Sequence, residues 1–263
     1  MKIWHAGILG MVATFGGLGL ADGAADSPLP NIVVVLADDM GWGDPQCYQS
    51  ESKIPTPHLD RLAASGVRFT DAHTPSSVCT PTRYTLLTGR YAWRTRLKQG
   101  VLDGFDPPLI ESGEDTLASL LKRAGYRTAC IGKWHLGMNW HDHSGNRLED
   151  RGPQRFRSGD DVDFARELTG GPLDVGFDSY FGISASLDMS PYCYLRDRKV
   201  ETPPTEHHEE IPDTIFLNGV SGPRSPGFDV HEVLPRLGDE AVAVVKSHAG
   251  HREPLFLYLP LNS

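Results

Sequence analysis

Residues 32–37 read Ile-Val-Val-Val-Leu-Ala, an unbroken apolar run dominated by β-branched side chains. The pattern predicts a parallel strand buried on both faces, and with it an α/β sheet. Asp38 and Asp39 follow at the carboxyl end of that strand, and Gly41 and Gly43 then turn the chain. Open α/β sheets place their ligands at the carboxyl ends of strands. Two adjacent carboxylates there repel each other unless a cation intervenes, and oxygen-only ligands favour a hard ion such as calcium or magnesium. The plainer reading of the same pair is an acidic turn capping a helix.

A second segment places a potential nucleophile where a helix begins. It reads Ser77-Val78-Cys79-Thr80-Pro81-Thr82-Arg83-Tyr84-Thr85-Leu86-Leu87-Thr88-Gly89-Arg90. Pro81 suits the first helical turn, where its missing N–H costs nothing. Free backbone N–H groups at that end favour an anion. Arg83 adds a forked donor that matches a sulfate or phosphate. Cys79 by itself reads as a small buried hydrophobe.

A third segment is Gly125-Tyr126-Arg127-Thr128-Ala129-Cys130-Ile131-Gly132-Lys133-Trp134-His135-Leu136-Gly137. A helix is expected over 115–124, with Leu117, Leu120 and Leu121 on one face and Gly125 as its C-cap. A strand over 127–131 then delivers Lys133 and His135 to a strand end. Residues two apart on an extended chain share a side, so a cation and an imidazole face one pocket. Lys133 suits a sulfate oxygen as a point charge, and His135 suits a general base. A solvated strand end is the plain alternative.

Together the three segments resemble the sulfatase family, position by position. The resemblance implies an alkaline-phosphatase-like α/β fold, with a mixed, mainly parallel sheet flanked by helices. It implies that Cys79 is not used as a thiol. A formylglycine-generating enzyme oxidises it to formylglycine, whose hydrated form attacks sulfur with one hydroxyl and expels sulfate with the other. Arg83 would steady the product of that conversion, and Lys133 would hold sulfate. His135 would contact the formylglycine hydroxyl. Asp38, Asp39 and the modified Cys79 would bind a divalent metal, usually calcium, with magnesium as the other hard ion. The reaction implied is hydrolysis of a sulfate monoester, aryl or carbohydrate, small or polymeric. Residues 171–178 and 184–189 also resemble segments common in bacterial sulfatases.

The resemblance covers about residues 28–263 but only the N-terminal part of such an enzyme. After a Phe-Leu-Tyr-type strand, here 255–259, the family continues into a Pro-His segment, an Asp-Asn pair and another Lys. This chain stops at Ser263, before those groups. The expectation is a C-terminally truncated catalytic domain over 26–263 with little activity and poor folding by itself. Other readings are a phosphonate monoester or phosphodiester hydrolase of the same superfamily, a non-catalytic remnant, and a redox protein using the Cys79 thiol.

Composition agrees with one α/β domain. The chain has 263 residues and a net charge of −9, which argues against a nucleic-acid binder. An anionic substrate must then be met by a local cationic cluster, as Arg83 and Lys133 provide. Residues 1–25 read as a signal peptide: Lys2, an apolar glycine-rich stretch over 8–20, then small residues to Ala25. Export to the periplasm or the exterior is expected, with no membrane span afterwards. Four cysteines, Cys47, Cys79, Cys130 and Cys193, are too few for a disulfide framework.

The remaining chain carries weaker signals. A helix starts at Thr56-Pro57 with Leu59, Leu62 and Ala63 buried, and a short strand is expected over 67–72. The stretch 140–226 is rich in Gly, Pro and Asp and shows little periodicity. His141-Asp142-His143 reads as a polar loop, and His207-His208 beside Glu209-Glu210 as a solvated charged turn. An amphipathic helix is expected over 230–248, with Val233, Leu234, Leu237, Ala241, Val244 and Val245 as its apolar stripe.

Overall fold

The computed structural model describes residues 29–149, 157–209, 211–214 and 217–263. The expected signal peptide lies outside the described residues. The run after Asn31 forms β1 (Ile32–Leu36), followed by α1 (Pro57–Ser65), α2 (Cys79–Thr88), α3 (Leu117–Arg123) and β2 (Arg127–Lys133). Next come β3 (Ser179–Ile183), the short pair β4 (Leu195–Arg196) and β5 (Lys199–Val200), and four short strands. These are β6 (Glu206–His208), β7 (Ile211–Thr214), β8 (Leu217–Gly219) and β9 (Gly222–Arg224). Helix α4 (Val233–His248) and β10 (Leu255–Pro260) complete the order.

The main sheet runs β1-β10-β2-β3-β4-β5. The pairs β1·β10, β10·β2 and β2·β3 are parallel, and β3·β4·β5 is antiparallel. This is the mixed, mainly parallel α/β sheet the sequence predicts. Strand alternation sorts its side chains into two cores. Ala129, Ile131, Phe181, Leu255 and Leu257 meet Val233, Leu237 and Ala241 of α4. On the other face Cys130, Tyr180, Phe256 and Tyr258 join Tyr84, Leu87 and Ala118 from α2 and α3.

Five local expectations are corrected. β1 is an edge strand, not one buried on both faces: Ile32, Val34 and Leu36 pack inward, whereas Val33 and Val35 are more than half exposed. Helix α1 buries no residue, so Leu59 and Leu62 face outward, and no strand forms over 67–72. In α3 the buried residue is Ala118, and Leu120 is exposed. Helix α4 begins only at Val233, after a 3-10 turn over Val230–Glu232, and its Leu234 and Val245 lie outside the packed stripe.

The stretch 140–226 conceals a core strand, β3. Its glycine hides it from pattern reading, yet Gly182 is required by close backbone approach. A Cβ there would lie 1.8 Å from the Gly132 carbonyl oxygen, and one on Gly132 would lie 1.9 Å from that of Pro260. The three central strands thus close tightly at their carboxyl ends, which is where the candidate site lies.

Candidate active site

Each parallel strand delivers one part of the site from its carboxyl end. Asp38 follows β1, Lys133 ends β2, the segment Ser184–Ser186 follows β3, and Leu261 follows β10. Helix α2 starts at Cys79, as Pro81 in its first turn leads one to expect. Val78, its N-cap, makes no side-chain capping bond, so the helix end keeps donors free for an anion.

Asp38 organises the cluster. Its Oδ2 accepts from Arg83 Nη2 at 2.9 Å and from Lys133 Nζ, and the Cys79 thiol donates to its Oδ1 at 3.4 Å. Lys133 Nζ also reaches Cys79 Sγ at 3.1 Å and Ser186 Oγ at 2.9 Å. Burial alone would raise the Asp38 carboxyl, but the charges of Lys133 and Arg83 outweigh it and hold the group below the usual range.

Arg83 is almost fully buried, and its fork serves the protein rather than an open anion site. Beyond Asp38 it donates to the Lys133 carbonyl at 2.6 Å and the Leu261 carbonyl at 3.0 Å. It therefore ties β1, β2 and the chain after β10 to α2. It also lines the cleft that holds Cys79, and its Nε has no partner among the described residues. Lys133 is the cation that reaches Cys79 itself.

Lys133 and His135 leave β2 by a turn, not as an extended chain. The strand ends at Lys133, and His135 has φ 54°, a left-handed conformation rare outside glycine. The turn is held by Trp134 N and His135 N, which donate to the Ile183 and Ser184 carbonyls, and by Thr80 Oγ1, which donates to the His135 carbonyl at 2.9 Å. His135 Nε2 faces the Leu102 carbonyl at 2.8 Å, so Nε2 carries the proton. That leaves Nδ1 as a bare acceptor, buried with no partner among the described residues. Burial, with the nearby Lys133 charge, lowers the imidazole to about 3. The ring is neutral at physiological pH.

Cys79 is only partly exposed. Its burial raises the thiol, and the attraction of Lys133 does not reverse this. Activated cysteine nucleophiles show the opposite shift. Asp39 is exposed with φ 56° and lines, with Asp38, Cys79 and Thr82, an open cleft of about 360 Å³. Two carboxylates opening into one cleft are donors of the right chemistry for a hard cation. Among the described residues no group of three or more His, Cys, Asp or Glu side chains is arranged around one metal position.

Ser186 and the Leu102 carbonyl were not picked out as site groups from the sequence. Ser186 lies in one of the segments quoted for the resemblance, but nothing in a Ser-Ala-Ser run shows which hydroxyl points inward. Asp142 of the His-Asp-His run accepts from Asn146 N and Nδ2, closing a polar turn.

The model of the family described as Sulfatase matches residues 30–225, which include Asp38, Cys79, Arg83, Lys133, His135 and Ser186. The chain belongs to the sulfatase family. It is 32% identical to an N-acetylgalactosamine-6-O-sulfatase of Bacteroides thetaiotaomicron, over 90% of this chain and 48% of that protein. It is equally 32% identical to arylsulfatase G of Rattus norvegicus, over 91% of this chain and 42% of that one. A solved structure from work on glycosaminoglycan metabolism by Bacteroides thetaiotaomicron superposes with a TM-score of 0.70 at 28% identity. It covers 90% of this chain and 52% of its own. The chain spans about half the length of the curated relatives it matches. The α/β fold described above is thus that of the sulfatases.

Proposed function

We propose that this sulfatase-family chain carries the nucleophile half of a sulfate-monoester hydrolase, with Cys79 converted to formylglycine. The observation that carries the reading is the meeting of Cys79, Lys133 and Ser186 at the start of α2. Once hydrated, formylglycine supplies an oxygen nucleophile in place of the thiol. The raised Cys79 thiol supports that replacement, because an unconverted cysteine here is a poor nucleophile.

The chain's own residues divide the work. Lys133, freed in part from Cys79, offers its ammonium to a sulfate oxygen, and Ser186 holds that ammonium in place. The first turn of α2 adds backbone donors. His135 Nδ1, an acceptor held by the Leu102 carbonyl on its far side, takes the proton from a hydroxyl on residue 79. Arg83 keeps Asp38 and Lys133 in register. A divalent cation held by Asp38 and Asp39 would supply a Lewis acid beside the sulfate oxygens, with calcium the first candidate by family. Export by the segment 1–25 belongs to the same proposal. Carbohydrate sulfates are the favoured substrates, in keeping with the relative named for N-acetylgalactosamine 6-sulfate.

Coexpression with a formylglycine-generating enzyme tests the reading. The peptide containing Cys79 should lose about 18 Da, the change from thiol to aldehyde. The converted protein should release sulfate from 4-nitrophenyl sulfate faster than phosphate from the matching phosphate ester. Lys133→Ala should lower turnover by about 10²–10³-fold. An unconverted thiol beside a fully converted control sulfatase would overturn the proposal, as would preference for the phosphate ester.

A further inference from the structure

Thr80 follows Cys79 in the first turn of α2 and has no exposed surface. A threonine hydroxyl has one proton to give and lone pairs to accept others. Thr80 uses both capacities. Its Oγ1 donates to the His135 carbonyl at 2.9 Å and accepts the Leu102 N–H at 3.2 Å. The Leu102 carbonyl in turn accepts from His135 Nε2 at 2.8 Å. Three hydrogen bonds thus join Thr80, Leu102 and His135 in a closed cycle, across sequence separations of 22, 33 and 55 residues.

The directions around the cycle are fixed by chemistry. A carbonyl only accepts, and a backbone N–H only donates. The Thr80 proton therefore goes to His135, and a Thr80 lone pair faces Leu102. The single N–H of the neutral imidazole goes to the Leu102 carbonyl, which leaves Nδ1 without a proton.

Both partners of Thr80 are also held from elsewhere. Asp103, next to Leu102, accepts Phe105 N at 3.2 Å and Arg157 N at 2.6 Å, and Asp103 N donates to Asp106 Oδ2 at 2.7 Å. The left-handed backbone of His135, at φ 54°, is unfavourable for a residue with a side chain and has to be held. Ser184 accepts its N–H at 2.8 Å, and Thr80 secures its carbonyl. Replacing the Thr80 hydroxyl by a methyl would strand a buried N–H on Leu102 and a buried carbonyl on His135. Each would then shift toward another partner, and the acceptor for Nε2 would shift with Leu102.

We propose that Thr80 is a positioning residue. Its hydroxyl, beside the nucleophile, holds the His135 turn and the Leu102 carbonyl so that His135 presents an unprotonated Nδ1. The use of that nitrogen as a base rests on the sulfate-ester reading above; the tautomer does not.

A threonine that only satisfied two backbone groups would stabilise the fold and leave the tautomer alone, so the tautomer is the readout. The full, unconverted chain is labelled with ¹⁵N at histidine and examined by long-range ¹H–¹⁵N NMR at neutral pH. His135→Gln identifies the His135 signals by their loss. The parent and Thr80→Ser should show one tautomer, with the proton on Nε2. Thr80→Val should show mixed tautomers or the proton on Nδ1. Thr80→Ala, which puts no methyl in the hydroxyl's place, gives the same comparison where valine prevents folding. A parent without the single Nε2–H tautomer, or a valine or alanine variant that keeps it, would overturn the proposal. In a second measurement the formylglycine-bearing chain is assayed on 4-nitrophenyl sulfate. Conversion is verified by mass in each variant, because Thr80 adjoins the converted residue. Thr80→Val should lower kcat about 10²-fold with KM little changed, as for a misplaced catalytic group, and Thr80→Ser should stay close to the parent. An unchanged kcat in Thr80→Val, or an equal loss in Thr80→Ser, would overturn the proposal. If the parent releases no sulfate, the sulfate-ester reading fails, and the NMR result still decides the role of Thr80.

Discussion

Asp38 is the residue on which the site's stability turns. It neutralises two buried cations, Arg83 and Lys133, each about 1% exposed. A buried pair broken from one side leaves an uncompensated charge, at a cost of about 3–5 kcal/mol. Asp38→Asn should therefore lower the urea midpoint strongly, whereas Asp39→Asn, at an exposed position, should leave it nearly unchanged. Equal effects of the two would contradict the arrangement. His135 sets a pH dependence of its own. Unfolded, it takes a proton below about 6.5; folded, it resists until about 3. The unfolded state thus binds more protons in that window, and stability falls as pH falls through it, by at most about 1.4 kcal/mol per unit. His135→Gln keeps a donor for the Leu102 carbonyl but cannot titrate. Urea melts of the metal-free protein near pH 7 and near pH 5 should show a smaller loss in the variant than in the parent.

Among the elements, α4 and α1 stand at opposite extremes. Helix α4 lays Val233, Leu237 and Ala241 across the central strands, and Leu237 has no exposed surface. Leu237→Ala should cost about 2–5 kcal/mol, from lost burial and the cavity left behind. Leu234→Ala, one turn-position away and partly exposed, should cost well under that. Denaturant melts with an unchanged m-value would confirm the contrast, and equal losses would place the wrong face on the sheet. Helix α1 has an amphipathic sequence and buries nothing. Its periodicity is real, but among the described residues nothing covers its apolar face.

At the scale of the molecule, several large apolar side chains stay uncovered. Val33 and Val35 on the edge strand, Leu62 on α1, and Val67 and Phe69 beyond it are all more than half exposed. An apolar edge of this kind promotes association. Val35→Lys combined with Phe69→Glu should lower the binding of a hydrophobic dye and delay light scattering on heating, with little change in far-UV circular dichroism. A double variant that aggregates as fast as the parent would show that this side is not what associates.

The strands at 32–36 and 255–260 were legible in the sequence as continuous apolar runs, and the one at 127–133 from its place after a helix and its C-cap glycine. Asp38, Cys79 and Lys133 each lie next to a strand or a helix start, and it was the resemblance to the sulfatases that singled them out together with His135. The sequence could not reveal β3, whose Gly182 interrupts the apolar pattern in order to admit the Gly132 carbonyl. Nor could it reveal that β1 lies at an edge, that α1 stays uncovered or that Arg83 spends its donors on two carbonyls and a carboxylate. Those facts depend on which segments meet across separations such as the 178 residues between Arg83 and Leu261. Periodicity records which face of an element is apolar. Only the packed chain decides whether anything comes to cover it, because burial is a property of pairs of elements and not of one.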